Sequence, residues 1–466
     1  MSLALRALGL LIAVWLGASG VRAEEPDFDA ATVEVRGLLE ALVAADTSNP
    51  PGNEARAVAI GVEKLREAGI PYRVTEFAPG RENLVARLVG DGSAEPLLLL
   101  AHIDVVGAAG QGWTVEPHKL TERDGFLYGR GVLDDLGMAA IELQVLLLLA
   151  KTGVPLSRDV ILAWTGDEES GGRGIQWILE HEPESVAAEV VLNEGGGIRL
   201  DDAGRPLRVD LQTAEKIYQD YELRVRGPTG HSSVPLPDNA IYRLAAALDR
   251  IAGHVFPVRL LPVTRVNLAA RESTAPPEQA RAIRAVLAAP SDPPPDAIAV
   301  LDQDPALAAS LRTTCVATQV AGGTRANALP AEAWALINCR LLPGESPEAV
   351  RDQLRRLIED PEIAVSAPSE FGFGAGSPLD GPGPDAIAAV VGEMAPGIPI
   401  VPYMSRGATD SRFFRARGVA AYGIGPLSVT TEDGRRAHGA DERIPAASLR
   451  RGIEFFYRLV VALAGR

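Results

Sequence analysis

The stretch Leu97-Leu98-Leu99-Leu100-Ala101-His102-Ile103-Asp104 decides the fold. Four consecutive leucines predict a strand that is buried on both faces, as in the middle of a parallel sheet. His102 ends this strand and Asp104 lies two residues further on, so both side chains point the same way. Open α/β sheets bind their ligands where such strands end. We therefore interpret His102 as a metal ligand oriented by Asp104, although a lone His-x-Asp is more often a surface or capping pair.

The length and charge of the chain restrict its class. With 466 residues the chain is too long for one ordinary hydrophobic core, which predicts two or three domains. The formal net charge is -16, a balance that repels phosphate backbones and excludes nucleic acid as an expected partner.

The N-terminus has the pattern of a targeting segment. Residues 1–23 contain Arg6, an apolar run at 8–16 that is too short to span a bilayer, and small residues at Val21 and Ala23. We expect a signal peptide at 1–23 and an exported protein, periplasmic or secreted. An uncleaved anchor is the alternative, and no later stretch predicts a stable membrane span.

The remaining chain divides into two patterns. Strands alternate with helices in 24–214 and again in 369–466, which predicts an α/β fold with a mostly parallel sheet flanked by helices. Between them, 215–368 shows the order strand-helix-strand-strand-helix-strand, which is typical of a ferredoxin-like α+β domain inserted into the first. Residues 254–311 contain many prolines and short helical pieces, such as 277–287, and are predicted to be a further insertion.

The chain has two cysteines, Cys315 and Cys339. They fall on successive predicted strands, so an exported protein allows a disulfide between them. The sequence does not give their separation, and two free thiols remain the alternative.

Metal-binding groups recur at strand ends and in glycine-rich loops along the α/β part. They are His102, Asp134, the pair Glu168-Glu169, Glu194 and His438. Two imidazoles and several carboxylates are the ligand set expected for zinc. Asp134 has two oxygens and can bridge two ions, which leaves one glutamate of the adjacent pair to face a metal-bound water. Each group alone has an ordinary explanation as a helix cap, an acidic turn or a surface histidine; the whole set does not.

Eight motifs in family order make this chain similar to the M20 family of zinc peptidases and amidohydrolases. They lie at 101–104, 128–137, 166–172, 192–195, 230–233, 322–330, 409–412 and 437–439. The resemblance implies a zinc-peptidase fold, with 24–214 and 369–466 as the catalytic domain and 215–368 as the inserted lid and dimerisation domain. The insertion at 254–311 resembles the carboxypeptidase S-like branch, and it puts the usual lid-mediated homodimer in doubt.

The resemblance also implies roles for single residues. Two Zn²⁺ per subunit are expected, with Co²⁺ or Mn²⁺ as alternatives: His102 and Glu194 bind one ion, Glu169 and His438 bind the other, and Asp134 bridges. Glu168 is expected to act as the general base and Asp104 as the orienting carboxylate. His231 is expected to polarise the scissile carbonyl, often from a partner subunit. Asn327, Arg406 and Arg412 are the expected substrate-binding residues, with a structural ion pair as the alternative for Arg412.

The expected function is hydrolysis of an amide bond in a peptide or N-acyl amino acid with a free carboxylate, of carboxypeptidase or aminoacylase type. A dipeptidase or a succinyl-diaminopimelate desuccinylase-like activity is the alternative, and a non-catalytic zinc-binding protein is a weaker one. A serine hydrolase would need a Gly-x-Ser-x-Gly elbow, which is absent from the sequence. Leu136 stands where the family usually has lysine, but this position is not a ligand and activity is expected to survive.

Overall fold

The computed structural model describes residues 25–368 and 374–466. The predicted signal peptide at 1–23 lies outside the described residues. No helix within the described ranges has both the length and the apolar character needed to cross a bilayer.

The helices and strands follow each other along the whole described chain. The helices are α1 (Phe28–Ala44), α2 (Ala55–Ala68), α3 (Leu136–Thr152), α4 (Arg173–His181), α5 (Ala240–Ala252), α6 (Pro262–Glu272), α7 (Pro277–Ala288), α8 (Pro295–Leu301), α9 (Pro305–Leu311), α10 (Pro347–Ile358), α11 (Pro382–Met394), α12 (Ser411–Arg415), α13 (Thr431–Gly434) and α14 (Ala447–Ala464), with a 3₁₀ turn at Pro183–Ser185. The strands are β1 (Ser48–Asn49), β2 (Tyr72–Ala78), β3 (Arg81–Leu88), β4 (Leu97–His102), β5 (Val105–Val106), β6 (Thr121–Arg123), β7 (Phe126–Tyr128), β8 (Val160–Thr165), β9 (Val190–Asn193), β10 (Gly197–Leu200), β11 (Pro206–Glu215), β12 (Ile217–Arg226), β13 (Thr314–Gly322), β14 (Glu332–Leu341), β15 (Ala364–Ser366), β16 (Ile400–Ser405), β17 (Ala420–Gly423), β18 (Val429–Thr430) and β19 (Arg443–Pro445).

A large sheet forms the body of the α/β part. Its strand order is β18-β10-β11-β17-β9-β4-β8-β3-β2, and β16 pairs with β11. The central run β17-β9-β4-β8 is parallel. This arrangement confirms the predicted helix-flanked, mostly parallel sheet.

The leucine strand β4 lies in the middle of this sheet and is buried at every position. Leu97 and Leu99 face a core built with α1, α3 and α14. Leu98 and Leu100 face the opposite core, built with α4 and α12. Both faces of the strand are therefore covered by helices, which is why the sequence has an unbroken apolar run there.

A smaller antiparallel sheet has the strand order β13-β14-β12-β15. Buried residues of α5 and α10 pack with those of β12 and β14 in one core. Along β12 buried and half-buried residues alternate, as expected for a strand with one covered face. Together with the chain order, this confirms the ferredoxin-like unit; its action as a lid remains a prediction.

Residues 254–311 form four helices, α6 to α9, with their own small core. Helix α6 packs beside strand β16 of the large sheet, where the side-chain amide of Asn267 donates to the carbonyl of Pro402 at 3.1 Å. The insertion therefore covers an edge of the large sheet.

The chain passes from the large sheet to the small one at Lys216, between β11 and β12. Its buried ammonium group donates to the carbonyls of Ala309 and Arg312, at 2.8 and 2.7 Å. The predicted division at 214/215 lies at the end of β11, next to Lys216. The domain boundaries themselves stay predictions, and the second, at 368/369, adjoins residues 369–373 that the structure does not describe.

Cys315 and Cys339 lie directly opposite each other on β13 and β14 and form a disulfide. The bond ties the edge strand β13 to its neighbour and closes a chain segment with a sequence separation of 24 residues. A bond that closes such a segment restricts the unfolded chain, and it therefore stabilises the folded one.

We expect the double variant Cys315→Ala, Cys339→Ala to lose about 2–4 kcal/mol of unfolding free energy. Urea unfolding of protein isolated without reductant measures the loss. Wild-type protein treated with reductant is the control and should unfold at nearly the same urea concentration as the variant. An unchanged midpoint in the reduced wild type would contradict a stabilising disulfide.

Candidate metal centre

Three neighbouring parallel strands deliver polar side chains to one edge of the large sheet. His102 ends β4, Glu168 and Glu169 follow β8, and Glu194 follows β9 directly. The carboxyl ends of parallel strands meet at the same edge, so residues distant in sequence become neighbours there.

Asp134 lies between the two imidazoles. Its Oδ1 is 3.0 Å from Nε2 of His102, and its Oδ2 is 3.0 Å from Nε2 of His438. Nε2 of His438 is also 3.1 Å from a carboxylate oxygen of Glu169. One carboxylate therefore faces a different histidine with each oxygen, which is the arrangement that a bridging ligand needs.

The remaining acids complete two overlapping groups around His102. The first consists of His102, Asp134 and Glu169, and the second of His102, Glu168 and Glu194; in each, candidate ligand atoms lie within 4.8 Å of one another. Nε2 of His102 is 3.9 Å from Oε1 of Glu194. The structure thus brings together all six groups that the sequence singled out for the metal centre and its base.

Asp104 is fully buried, and it contacts other groups besides the imidazole of His102. Nδ1 of His102 is 2.9 Å from the backbone carbonyl oxygen of Asp104 and 3.6 Å from its carboxylate. The carboxylate accepts hydrogen bonds from the backbone N–H groups of Glu168 and Glu169, at 3.0 and 3.3 Å, and from the amide of Asn49 at 2.8 Å. Asp104 therefore fixes the loop of both glutamates as well as the neighbouring histidine.

The pKa shifts in the cluster show an excess of buried negative charge. Burial lowers the pKa of His102, but its hydrogen bonds with Asp104 and Asp134 outweigh burial and raise the pKa well above its usual value. Hydrogen bonds with Asp134 and Glu169 raise the pKa of His438 to about 10. Burial, together with neighbouring acids, raises the pKa of Glu194 well above its usual value. These directions indicate a site whose charges a bound cation would balance.

The residues present fit a pair of divalent metal ions. Imidazole nitrogens and carboxylate oxygens form the donor set that zinc prefers. Oε1 of Glu169 is buried without a hydrogen-bond partner among the described residues, so this oxygen is left for another ligand. Buried oxygens without a partner are costly unless something binds them.

A cavity of about 160 Å³ opens directly beside the cluster. Its lining residues include Asp134, Glu194, Arg199 and the glycines at 195–197. Space of this size next to the acids leaves room for part of a small ligand.

Glu442 is a functional residue that the sequence analysis missed. Its buried carboxylate accepts from the guanidinium of Arg130 at 2.6 Å and from the N–H groups of Gly131, Leu133 and Asp134 at 3.0, 2.8 and 3.1 Å. This single acid therefore shapes the loop that carries the bridging aspartate. Glu442 lies four residues after His438, but nothing in the local sequence pattern indicates that it accepts from backbone N–H groups.

His231 and Asn327 lie together on the smaller unit. The backbone carbonyl of Asn327 accepts from the N–H of Ser232 at 3.1 Å, and Nδ1 of His231 is 2.7 Å from the hydroxyl of Ser233. His231 is exposed, and within the described residues its hydrogen bonds do not reach the metal-binding cluster. Its catalytic role and the substrate role of Asn327 remain predictions.

The two predicted substrate arginines have different surroundings. Arg412 is half-buried, donates to the carbonyl of Gly171 at 3.1 Å and stacks on the ring of Phe413. Arg406 is exposed and donates to the carbonyl of Ala306 at 3.3 Å. Arg412 thus has the contacts of a structural residue near the glutamate loop, whereas Arg406 lies beside the helical insertion.

The sequence matches a known family over most of its length. The model of "Peptidase family M20/M25/M40" matches residues 98–462. The chain is 32% identical over 382 residues to human N-fatty-acyl-amino acid synthase/hydrolase PM20D1, covering 79% of this chain and 74% of that protein. It is 28% identical over 381 residues to probable carboxypeptidase S-like 2 of Dictyostelium discoideum, covering 79% and 72%.

Solved structures share the fold. The M20 family metallo-carboxypeptidase Sso-CP2 from Sulfolobus solfataricus matches with a TM-score of 0.64 and 19% identity, over 92% of this chain and 98% of that one. YXEP from Bacillus subtilis, a dinuclear metal binding peptidase, matches with a TM-score of 0.61 and 14% identity, over 93% and 99%. The similarity extends across both sheets, because it covers nearly the whole chain.

We expect Glu442→Gln to destabilise the protein by about 3–5 kcal/mol, because it leaves the buried Arg130 guanidinium without its carboxylate. Asp441→Asn is the matched control: this half-buried neighbour accepts from the backbone N–H and the hydroxyl of Thr114, and its loss should cost about 1 kcal/mol or less. Denaturant unfolding of both variants measures the difference. Equal losses would show that Glu442 does not organise the loop.

Proposed function

The chain belongs to the peptidase M20/M25/M40 family and is a metallopeptidase or amidohydrolase, and on this premise we propose that it is an exported dinuclear zinc hydrolase. Its proposed reaction is cleavage of an amide bond in a peptide or N-acyl amino acid with a free carboxylate. The observation that carries the proposal is Asp134, whose two oxygens each face one imidazole at 3.0 Å.

Two zinc ions would be held by the residues of the cluster. His102 and Glu194 would bind one ion, Glu169 and His438 the other, and Asp134 would bridge them. Zinc in this setting supplies Lewis acidity and lowers the pKa of a bound water to about 7. The donor set also suits Co²⁺ and Mn²⁺, so the native metal is part of the proposal.

The protein's own residues would then move the proton and hold the substrate. Glu168 would take a proton from the attacking water and pass it to the nitrogen of the leaving amine. Asp104 would hold the backbone of Glu168 and Glu169 in position, because its carboxylate accepts from both of their N–H groups. His231, donated by a second subunit, would hydrogen-bond the oxygen of the scissile carbonyl as negative charge develops there.

N-acyl amino acids are the preferred substrate class within this proposal. The human relative is named as an N-fatty-acyl-amino acid synthase/hydrolase, and the Dictyostelium relative as carboxypeptidase S-like. Arg406 is exposed and Arg412 is half-buried, so Arg406 is the more accessible candidate for the substrate carboxylate. Dipeptides and succinylated amines are the alternative substrates.

Export and dimerisation complete the proposal. The N-terminal pattern at 1–23 and the disulfide between Cys315 and Cys339 both support an oxidising compartment outside the cytoplasm. Strand β13 is an edge of the smaller sheet, and Val316 and Val320 on it are 61% and 66% exposed. An edge strand with exposed apolar side chains is suited to pairing with a second copy.

We expect Glu168→Gln to keep zinc but to hydrolyse more than about a hundredfold more slowly, because the general base is lost. Glu169→Gln, the neighbouring control, should lose both zinc affinity and activity because it removes a ligand. Zinc content after dialysis and initial rates on a panel of dipeptides and N-acyl amino acids measure the two effects.

Chelator treatment of the wild type tests the metal itself on the same panel. Activity should disappear and return with added zinc. A Glu168→Gln variant that retains more than about a hundredth of the wild-type rate refutes this base. Activity that survives complete removal of metal refutes the dinuclear mechanism.

Mixing two inactive variants tests the role of the second subunit. His231→Ala and Glu168→Gln should each be nearly inactive alone. After subunit exchange, an equimolar mixture should regain about a quarter of the wild-type rate, because half the dimers are mixed and each has one complete site. Light scattering verifies that both variants form dimers. Dimeric mixtures without recovery would show that His231 does not act across subunits.

A further inference from the structure

The loop at 107–114, which follows β5, contacts the C-terminal segment that carries His438. The backbone N–H and the hydroxyl of Thr114 donate to the carboxylate of Asp441, at 2.8 and 2.9 Å. The side-chain amide of Gln111 donates to the backbone carbonyl of His438 at 3.1 Å. A loop close in sequence to the first histidine of the cluster is therefore joined to the segment that supplies the second.

The amide of Gln111 is hydrogen-bonded through both of its polar atoms. Besides the contact with the C-terminal segment, its Nε2 donates to the carbonyl of Gly107 at 3.1 Å. Its Oε1 accepts from the guanidinium of Arg130 at 2.7 Å and from the indole N–H of Trp113 at 3.1 Å. A primary amide has two donors and accepts two hydrogen bonds, so this one side chain uses its full capacity.

Arg130 connects this amide to the buried side of the metal-binding cluster. Its guanidinium also donates to the carbonyl of Gly439 at 3.1 Å and to the carboxylate of Glu442 at 2.6 Å. Its side chain is buried, whereas Gln111 is exposed. The two side chains, which contact each other, therefore hold two successive backbone carbonyls, those of His438 and Gly439.

His438 depends on such support more than His102 does. Its backbone has a φ of 64°, in the left-handed region that residues other than glycine rarely adopt. A residue keeps this conformation only where the surrounding structure holds it. The side chain of His438 is 56% exposed, against 2% for His102. Packing therefore fixes the ring of His102, whereas the direction of the His438 ring depends on contacts with its backbone.

We propose that Gln111 is a positioning residue for one metal ion of the pair, the ion assigned to Glu169 and His438. By holding the carbonyl of His438, its amide keeps Nε2 of the imidazole directed at Asp134 and Glu169, at 3.0 and 3.1 Å. This role rests on the proposed dinuclear centre and adds to it, because the two ions should then depend unequally on one exposed side chain.

Two substitutions of Gln111 separate the ions. Gln111→Ala removes all four hydrogen bonds, and Gln111→Glu replaces the donor toward His438 with an acceptor. Both variants should bind the ion assigned to His102 and Glu194 as the wild type does. Both should bind the other ion about tenfold more weakly or worse, the usual effect of losing a group that supports a metal ligand. Because Gln111 is exposed, urea unfolding of the metal-free variants should stay close to that of the wild type.

Zinc titration of the metal-free, full-length protein in competition with a fluorescent chelator measures both dissociation constants. Cobalt(II) absorption identifies the affected ion: the band weakened in Gln111→Ala should be the band that is missing from Glu169→Gln, which lacks a ligand of that ion. Gln303→Ala, at an exposed glutamine of the insertion, is the matched control and should bind both ions as the wild type does.

Thr114→Val separates the amide from the docking of the whole loop. It removes the hydroxyl contact with Asp441 but leaves the contact of Gln111 with His438, so it should weaken the second ion less than Gln111→Ala does. Equal weakening by both substitutions would assign the effect to loop docking and overturn the role of the amide.

Unchanged binding of both ions to the Gln111 variants, or equal weakening of both, would also overturn the role of Gln111. A wild-type protein that binds fewer than two ions would overturn the dinuclear centre and this inference with it. A wild type with two ions and unaffected variants overturns the inference alone, so the two failures are distinguishable.

Discussion

The contact on which the site depends is the shared carboxylate of Asp134. It joins His102, from the first half of the α/β part, to His438, from the segment that follows the inserted unit. The same C-terminal segment supplies Glu442, which holds the backbone of the Asp134 loop. The two separated pieces of the large α/β unit therefore meet at the site through two acids. Asp134 faces the two histidines, and Glu442 accepts from backbone N–H groups.

The sequence predicted the parts of the site that depend on local pattern. Strand β4 was recognisable from its apolar run, and the parallel order of its neighbours explains why Glu168, Glu169 and Glu194 arrive at the same edge. Strands β10, β11 and β16 were missed. Strand β10 is short and follows a glycine run, and β16 follows a proline-rich turn. Their positions are set by pairing with β11, a long-range contact that no local pattern carries.

The missed features share one physical reason: their partners are backbone groups or distant surfaces. Glu442 accepts from N–H groups of a loop more than three hundred residues away. The side-chain amide of Asn49 donates to the carboxylate of Asp104. Helix α6 of the insertion packs beside β16, and residues of both elements line a cavity there. The insertion was predicted as helical pieces, but its effect on the sheet edge follows from packing that the sequence does not encode locally.

The acids of this centre divide by how their oxygens are satisfied. Asp104 and Glu442 are buried, and every carboxylate oxygen of both accepts at least one hydrogen bond. Backbone N–H groups are among the donors to each, so both acids hold neighbouring backbone in place. Glu169 is different, because one of its buried oxygens has no partner in the described residues. Burial raises the pKa of Asp104, but the contacts with His102 and the other hydrogen bonds outweigh it and leave the pKa below its usual value. Burial outweighs the neighbouring Arg130 at Glu442 and raises the pKa of that carboxyl group to about 7. Burying the Glu169 oxygen without a partner is costly until a cation binds it. The fully hydrogen-bonded acids therefore position the site, whereas an acid with an oxygen left over can bind a metal.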